Sequence, residues 1–149
     1  MLNIRLADIS DCERIFNLSN DPVVRNNSIN KEKILWENHV KWFENRIKNI
    51  NEPFYIVETS DGDLIAQVRF NERNGENIIS VSIAQDFRGK GYGAQVISEC
   101  SQKAKLSPIC AYVKENNIAS KRAFIKAGYI EKEFVQINNE PYIKLALLQ

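Results

Sequence analysis

The segment QDFRGKGYGAQV, residues 85–96, places glycine at 89, 91 and 93 with Arg88 and Lys90 between them. It stands between an apolar strand pattern and a helix pattern, and it holds three of the six glycines in the 149-residue chain. Glycine is costly to order, so its concentration here points to what glycine alone allows: close backbone approach to a ligand, with N–H groups turned to one side. A helix starting at this point adds its own unpaired first-turn donors, and its macrodipole favours an anion. Each charged hydrogen bond contributes about 1.5–3 kcal/mol and the dipole ~0.3–1 kcal/mol. With Arg88 and Lys90 adding positive charge, a phosphate-bearing ligand is the expected occupant. Two nucleotide loops fail the test. A Walker A loop needs Ser or Thr after its lysine and glycine at position 84, where this chain has Gly91 and Ala84. A dinucleotide fingerprint needs G-x-G-x-x-G after an early strand, and the spacing here is G-x-G-x-G.

A hydrophobic share of 44% with 26% charged residues suits one soluble domain, 1–149. A net charge of +1 argues against blanket phosphate neutralisation, so no nucleic-acid partner is expected. No run approaches the ~18 apolar residues of a membrane span, and the opening LNIRLADISD carries charges where a signal peptide needs an apolar run. Three cysteines without a CxxC pair read as reduced thiols in a cytoplasmic setting. Cys12, Cys100 and Cys110 each sit in an apolar pattern, as small core residues rather than nucleophiles.

The strand NIRL (3–6) precedes a helix capped by Asp8, with Ile9, Cys12, Ile15, Phe16 and Leu18 at helical spacing. Residues 19–30 are turn-rich, a loop or short irregular helix. From Lys31 to about Asn49 the spacing predicts one long helix with Trp36, Val40, Phe43 and Ile47 as its buried stripe. FYIVET, LIAQVRFN and NIISVSIA read as three strands joined by turns. After the glycine loop come a helix to about Leu106, the strand ICAYVK, a helix capped by Asn117 and closed at Gly128, and a terminal hairpin. The fold class is α/β (α+β): a mixed sheet of about seven strands, flanked on both faces by about four helices.

The pattern that fits the loop is R-x-x-G-x-G, read as Arg88, Gly91 and Gly93, after a strand and opening a helix. Here the chain resembles the GNAT superfamily of acetyl-CoA-dependent acetyltransferases. VKENNIASKRAFIKAGYI (113–130) is similar to that family's second hallmark of strand, Asn, helix, then Gly and an aromatic. The resemblance implies a partly splayed sheet with the pantetheine arm in the gap, held by backbone around Ile83 and Ala84. It implies that amides of Arg88, Gly89, Lys90, Gly91, Tyr92 and Gly93 take the pyrophosphate of acetyl-CoA, that Asn117 reaches the arm, and that Phe124 lines the cofactor site. The acceptor amine would attack the thioester directly, with no metal; His39, the only histidine, has no partners for a metal site.

Two departures bear on catalysis. Many relatives carry a tyrosine seven residues after the motif Asn as the acid for the leaving thiolate; this chain has Phe124. Some that acetylate protein N-termini carry a glutamate base five residues before it; this chain has Tyr112, either a proton donor or an aromatic packed on the sheet. An amine of pKa ≈ 10.4 spends about 4–5 kcal/mol at neutral pH to become the free base, and one near 8 only about 1. A site without a strong base therefore suits a weakly basic amine.

NDPVVRNNS with ENHVKWFENRI resembles members that acetylate nucleotide-linked amino sugars of surface-polysaccharide and nonulosonic-acid pathways, the pseudaminic-acid type. The matching positions are Asn20, Arg25, Ser28, His39 and Trp42, with Ser19 where relatives often have arginine. His39 is either a structural residue or an acceptor contact and proton relay. Arg69 is either an acceptor-phosphate ligand or one half of a surface ion pair. The alternatives are acetylation of a protein N-terminus, and a non-catalytic acyl-CoA sensor. A monomer or homodimer is expected, the terminal hairpin being a frequent dimer contact in relatives.

Overall fold

A computed structural model describes residues 2–149. Among them are seven strands: β1 (Asn3–Leu6), β2 (Phe54–Glu58), β3 (Leu64–Arg73), β4 (Glu76–Ile83), β5 (Ile109–Lys114), β6 (Ile130–Ile137) and β7 (Glu140–Leu147). Five helices accompany them: α1 (Cys12–Ser19), α2 (Pro22–Asn26), α3 (Trp36–Arg46), α4 (Tyr92–Ala104) and α5 (Ile118–Lys126). The strands form one sheet in the order β1-β2-β3-β4-β5-β7-β6. Only β4 and β5 run parallel; every other neighbouring pair is antiparallel. The mixed α/β sheet read from the sequence is thus present, with the turn-rich segment 19–30 adding α2 as a fifth helix.

Side chains alternate across a strand, so β2 shows how both faces are filled. Tyr55 and Val57 join the larger core with Val96, Ile97 and Cys100 of α4 and Phe124 of α5. Phe54 and Ile56 point the other way and pack with Ile15 of α1 and Phe43 of α3. Every residue of β2 is buried, as a strand covered on both faces requires. Local chemistry sets the helix ends. Asp8 and Asp11 form a capping box before α1. Gly128, at φ +100°, ends α5 in a Schellman turn: its N–H donates to Ile125 O and Tyr129 N–H to Phe124 O, both at 3.0 Å.

The long helix expected from Lys31 is shorter. Ile34 is clamped by Asn20, whose Oδ1 accepts from Ile34 N at 2.7 Å and whose Nδ2 donates to Ile34 O at 2.9 Å, so the chain enters α3 extended. The buried stripe of α3 is rotated accordingly. Its buried residues are His39, Phe43 and Arg46, whereas Trp36 is 46% exposed. Arg46 latches the end of α3 to β3, donating to Glu52 O (2.6 Å), Phe70 O (2.8 Å) and Asn71 Oδ1 (2.9 Å).

Beneath α1, Arg5 donates to Asp11 through both terminal nitrogens at 2.8 Å, and through Nε to Glu58 at 2.9 Å. Arg14 donates to the same two carboxylates. Asp11 is 1% exposed, and hydrogen bonds from both arginines hold Asp11 and Glu58 below the usual carboxylate range. Replacing Asp11 by Ala is expected to cost about 2–4 kcal/mol, less than a fully dry pair because both arginines reach solvent. A depressed carboxylate stabilises the fold above its unfolded value and loses that contribution as pH falls through its native one. Wild-type stability should therefore drop below about pH 4, more steeply than in Asp11→Ala. Urea melts at pH 3–7 check this.

Candidate active site

β4 and β5 share only two paired positions, Asn77 with Ile109 and Ile78 with Cys110. Beyond them the strands diverge, and a cavity of about 660 Å³ fills the gap, a size suited to a cofactor or small substrate. The β3–β4 register decides which backbone groups face it. Ala84 N–H donates to Ile65 O at 2.8 Å, so Ala84, Ser82 and Ser80 bond toward β3. By alternation Ile79, Val81 and Ile83 turn their N–H and C=O groups into the gap. Of the two residues expected to hold the arm, Ile83 faces the gap with its N–H, its carbonyl accepting from Arg88 at 2.9 Å, whereas the Ala84 amide is bonded to β3; Val81 faces the gap with both groups.

The three loop glycines serve two purposes. Gly89 (φ +71°) and Gly91 (φ +83°) hold left-handed conformations, and a Cβ on either would meet no protein atom within 4 Å. Gly93 lies where α4 crosses α5, and its Cβ would stand 3.2 Å from Ala123 Cβ. Gly91 is the N-cap of α4 and brings no side-chain cap, so the first-turn amides keep their donors. This open, uncapped cradle fits a diphosphate. Gly89, Gly91, Tyr92 and Gly93 border the cavity, as do Asn117 and Phe124, while Lys90 is exposed at the loop tip. Tyr92 packs edge-to-face on Phe87. The Arg88 guanidinium is already engaged: Nε donates to Ile83 O at 2.9 Å, and a terminal nitrogen pairs with Asp21 at 3.0 Å.

Asn117 caps α5, its Oδ1 accepting from Ser120 N. Phe124 is buried against Tyr129, ring centroids 5.0 Å apart. Tyr129 cannot replace the missing acid, because its hydroxyl shares a hydrogen bond with buried Ser101 and burial pushes its pKa up to about 12. Three phenols line the cavity, those of Tyr92, Tyr112 and Tyr142. Tyr112 donates to Glu76 Oε1 at 2.6 Å, and Glu76 is paired with Lys144. Burial and the Glu76 carboxylate raise the Tyr112 pKa, while Lys144 and Tyr112 hold Glu76 low. Tyr142 and Glu76 went unnoticed in the sequence, lying 30 and 36 residues from Tyr112.

On the acceptor side the structure reassigns several residues. Arg25 donates to the carbonyls of Ser19, Asn30 and Glu32 and to Ser28 Oγ; Ser28 Oγ in turn donates to Val24 O. With the Asn20–Ile34 clamp, Asn20, Arg25 and Ser28 knit residues 19–34 into a self-bonded strap. His39 does not border the cavity. It is buried among Phe16, Trp36, Trp42 and Phe43, with Nε2–H donated to Cys12 O at 2.8 Å. Burial lowers its pKa and keeps it neutral, a structural residue. Trp42 also stands behind the cavity wall and carries Arg69, whose guanidinium lies 5.0 Å from the ring centroid. Arg69 borders the cavity and has no carboxylate partner among the described residues. Burial, with Arg46 and Arg25 nearby, pulls its pKa down to about 10.

Cavity charge is one-sided. Arg25, Arg69, Arg88, Lys114, Arg122 and Lys126 line it, with no Asp or Glu. Burial raises the thiol pKa of all three cysteines, that of Cys100 to about 12, so none is an activated nucleophile. Among the described residues no group of His, Cys, Asp or Glu could hold a metal ion, and no helix is long and apolar enough to cross a membrane.

No curated protein matches the sequence. Among solved structures, the spermidine N-acetyltransferase of Vibrio cholerae, in complex with CoA and spermine, is similar at TM-score 0.89 and 20% identity, over 99% of this chain and 95% of that one. The ribosomal-protein-alanine N-acetyltransferase of Brucella melitensis is similar at TM-score 0.83 and 21% identity, over 99% of each chain. The family model of the acetyltransferase (GNAT) domain matches residues 1–130. By that match, over most of its length, the chain belongs to the GNAT acetyltransferases, enzymes that use acyl-CoA to acylate amines.

Proposed function

We propose that the protein acetylates the primary amine of an anionic small molecule, a nucleotide-linked amino sugar best matching the site. The observation that carries this reading is the charge of the cavity: six cationic side chains and no carboxylate. A polyamine would bring several positive charges among these cations and find no carboxylate on the cavity wall, whereas a diphosphate-linked sugar is attracted by the cations that no protein group neutralises. Arg69 is the acceptor-side cation still free to bind, since Arg25, Arg88 and Lys114 are held by groups of the protein itself.

Acetyl-CoA supplies the activated acetyl thioester. Amides from Arg88 to Gly93 hold its pyrophosphate, the gap-facing backbone of Val81 and the Ile83 N–H orient the arm, and Asn117 with the apolar wall of Phe124 confines it. Backbone N–H donors in the gap stabilise charge developing on the thioester oxygen. The free amine attacks the thioester carbon directly, since no cysteine is activated: the N–C bond forms, the C–S bond breaks, CoA leaves as thiolate, and the proton lost by the nitrogen ends on that thiolate or in solvent. Tyr112 gives its one proton to Glu76 and so presents lone pairs to the cavity, able to accept from the incoming amine. No carboxylate or histidine lines the cavity to take a proton from a protonated amine, which favours an amine of low pKa, present as free base near neutrality.

Free CoA release measured with UDP-linked amino-deoxy sugars, N-terminal peptides and spermidine separates the readings. Turnover should be fastest with a UDP-amino sugar. Turnover on peptides alone would favour the N-terminal reading, and on spermidine alone would contradict the charge argument.

A further inference from the structure

The sheet does not set the width of the gap between β4 and β5, because past Ile78 and Cys110 the strands are unpaired. Another element spans that mouth. α2 has five residues, about 7.5 Å of helix, and is tied at its two ends to the two diverging strands. At its start, the N-cap Asp21 pairs at 3.0 Å with Arg88, which follows β4 and grips the Ile83 carbonyl. At its end, the Asn26 carbonyl accepts at 2.6 Å from Lys114, the last residue of β5 and only 5% exposed. Lys114 also pairs with Glu140, itself paired with Lys31 beyond α2. Between these ties the strap carries its own bonds through Asn20 and Arg25, so it has little freedom to stretch.

We infer that α2 is a strut across the mouth of the splay, with Asp21 and Lys114 as positioning residues that hold the acceptor side of the cavity at one width. Because Arg88 belongs to the glycine loop, the strut also links that loop to the acceptor wall; this part rests on the reading above that the loop holds the pyrophosphate. Occupancy of the loop then stiffens α2 without touching it.

The test uses Asp21→Asn, which keeps a side-chain cap for Val23 N–H and removes the ion pair, together with Lys114→Met and its conservative partner Lys114→Arg. Amide hydrogen exchange over residues 22–27 should quicken about tenfold in Asp21→Asn and Lys114→Met, and return toward wild type in Lys114→Arg. Saturating acetyl-CoA should slow exchange there in the wild type and not in Asp21→Asn. With a UDP-linked amino-deoxy sugar as probe, Asp21→Asn should raise the acceptor KM about tenfold with kcat within about twofold. The sign is diagnostic. Removing a negative charge beside a cationic cavity would by electrostatics alone tighten an anionic acceptor, whereas a lost strut weakens it. Unchanged exchange at 22–27 in both Asp21→Asn and Lys114→Met, or a lower acceptor KM in Asp21→Asn, overturns the strut. Failure of the wild type to bind acetyl-CoA overturns the loop assignment and leaves the exchange comparison between variants standing.

Discussion

Valine at position 91 should abolish useful cofactor affinity, raising the acetyl-CoA Kd about 100-fold or more while the protein stays folded. The two effects separate because of what surrounds Gly91. Its φ of +83° costs an L-residue about 1–2 kcal/mol, and a branched side chain somewhat more, so a modest fall in Tm is expected. No protein atom lies within 4 Å of the added Cβ, however, so nothing in the free protein is crowded. On the proposed reading, the Cβ instead takes the space through which a diphosphate would reach the amides. Losing two charge-assisted hydrogen bonds at about 1.5–3 kcal/mol each corresponds to roughly 10²–10⁴ in Kd. Gly62→Val is the matched control, since Gly62 has φ +89° and equally open surroundings in a turn far from the loop in sequence. It should shift Tm similarly and leave the acetyl-CoA Kd unchanged. Calorimetric titration of both variants decides the matter, and intact affinity in Gly91→Val would show that the loop does not hold the cofactor.

The second large effect is expected at Arg69. Arg69→Gln should lower kcat/KM for a UDP-linked amino-deoxy sugar about 10–150-fold, the equivalent of one charge-assisted contact, with acetyl-CoA Kd within about twofold. Arg69 lies on Trp42 and faces the cavity without a carboxylate, so its loss removes a free cation rather than breaking an internal ion pair. Arg69→Glu should go further and make spermidine the better of the two acceptors. Steady-state kinetics with both acceptors measure this. Equal kcat/KM for the sugar nucleotide in wild type and Arg69→Gln would remove Arg69 from the acceptor site.

What the sequence disclosed was backbone chemistry, and what it withheld was long-range pairing. Gly89, Gly91 and Gly128 were readable because their positive φ calls for glycine, and Asn117 because a helix start calls for a short polar acceptor. The β2–β4 meander was readable because alternation has a fixed period of two. The helix at residues 31–35 was misread because its periodicity is real, but Asn20, fourteen residues upstream, takes the Ile34 backbone for itself. For His39 the sequence leaves a structural role and an acceptor contact both open, because its partner is the Cys12 carbonyl, which no pattern in α3 can announce. For the same reason the sequence named Arg25 as a ligand for the acceptor, where its donors are spent on Ser19, Asn30 and Glu32. Glu76, the partner of both Tyr112 and Lys144, became visible only once β4, β5 and β7 were side by side.

The most direct test is a crystal structure of the protein with bound CoA. It should show diphosphate oxygens within about 3 Å of amide nitrogens between Arg88 and Gly93, and the pantetheine arm between β4 and β5 beside Val81. Density for CoA on any other surface, with the glycine loop vacant and β4 and β5 undisturbed, would contradict the account.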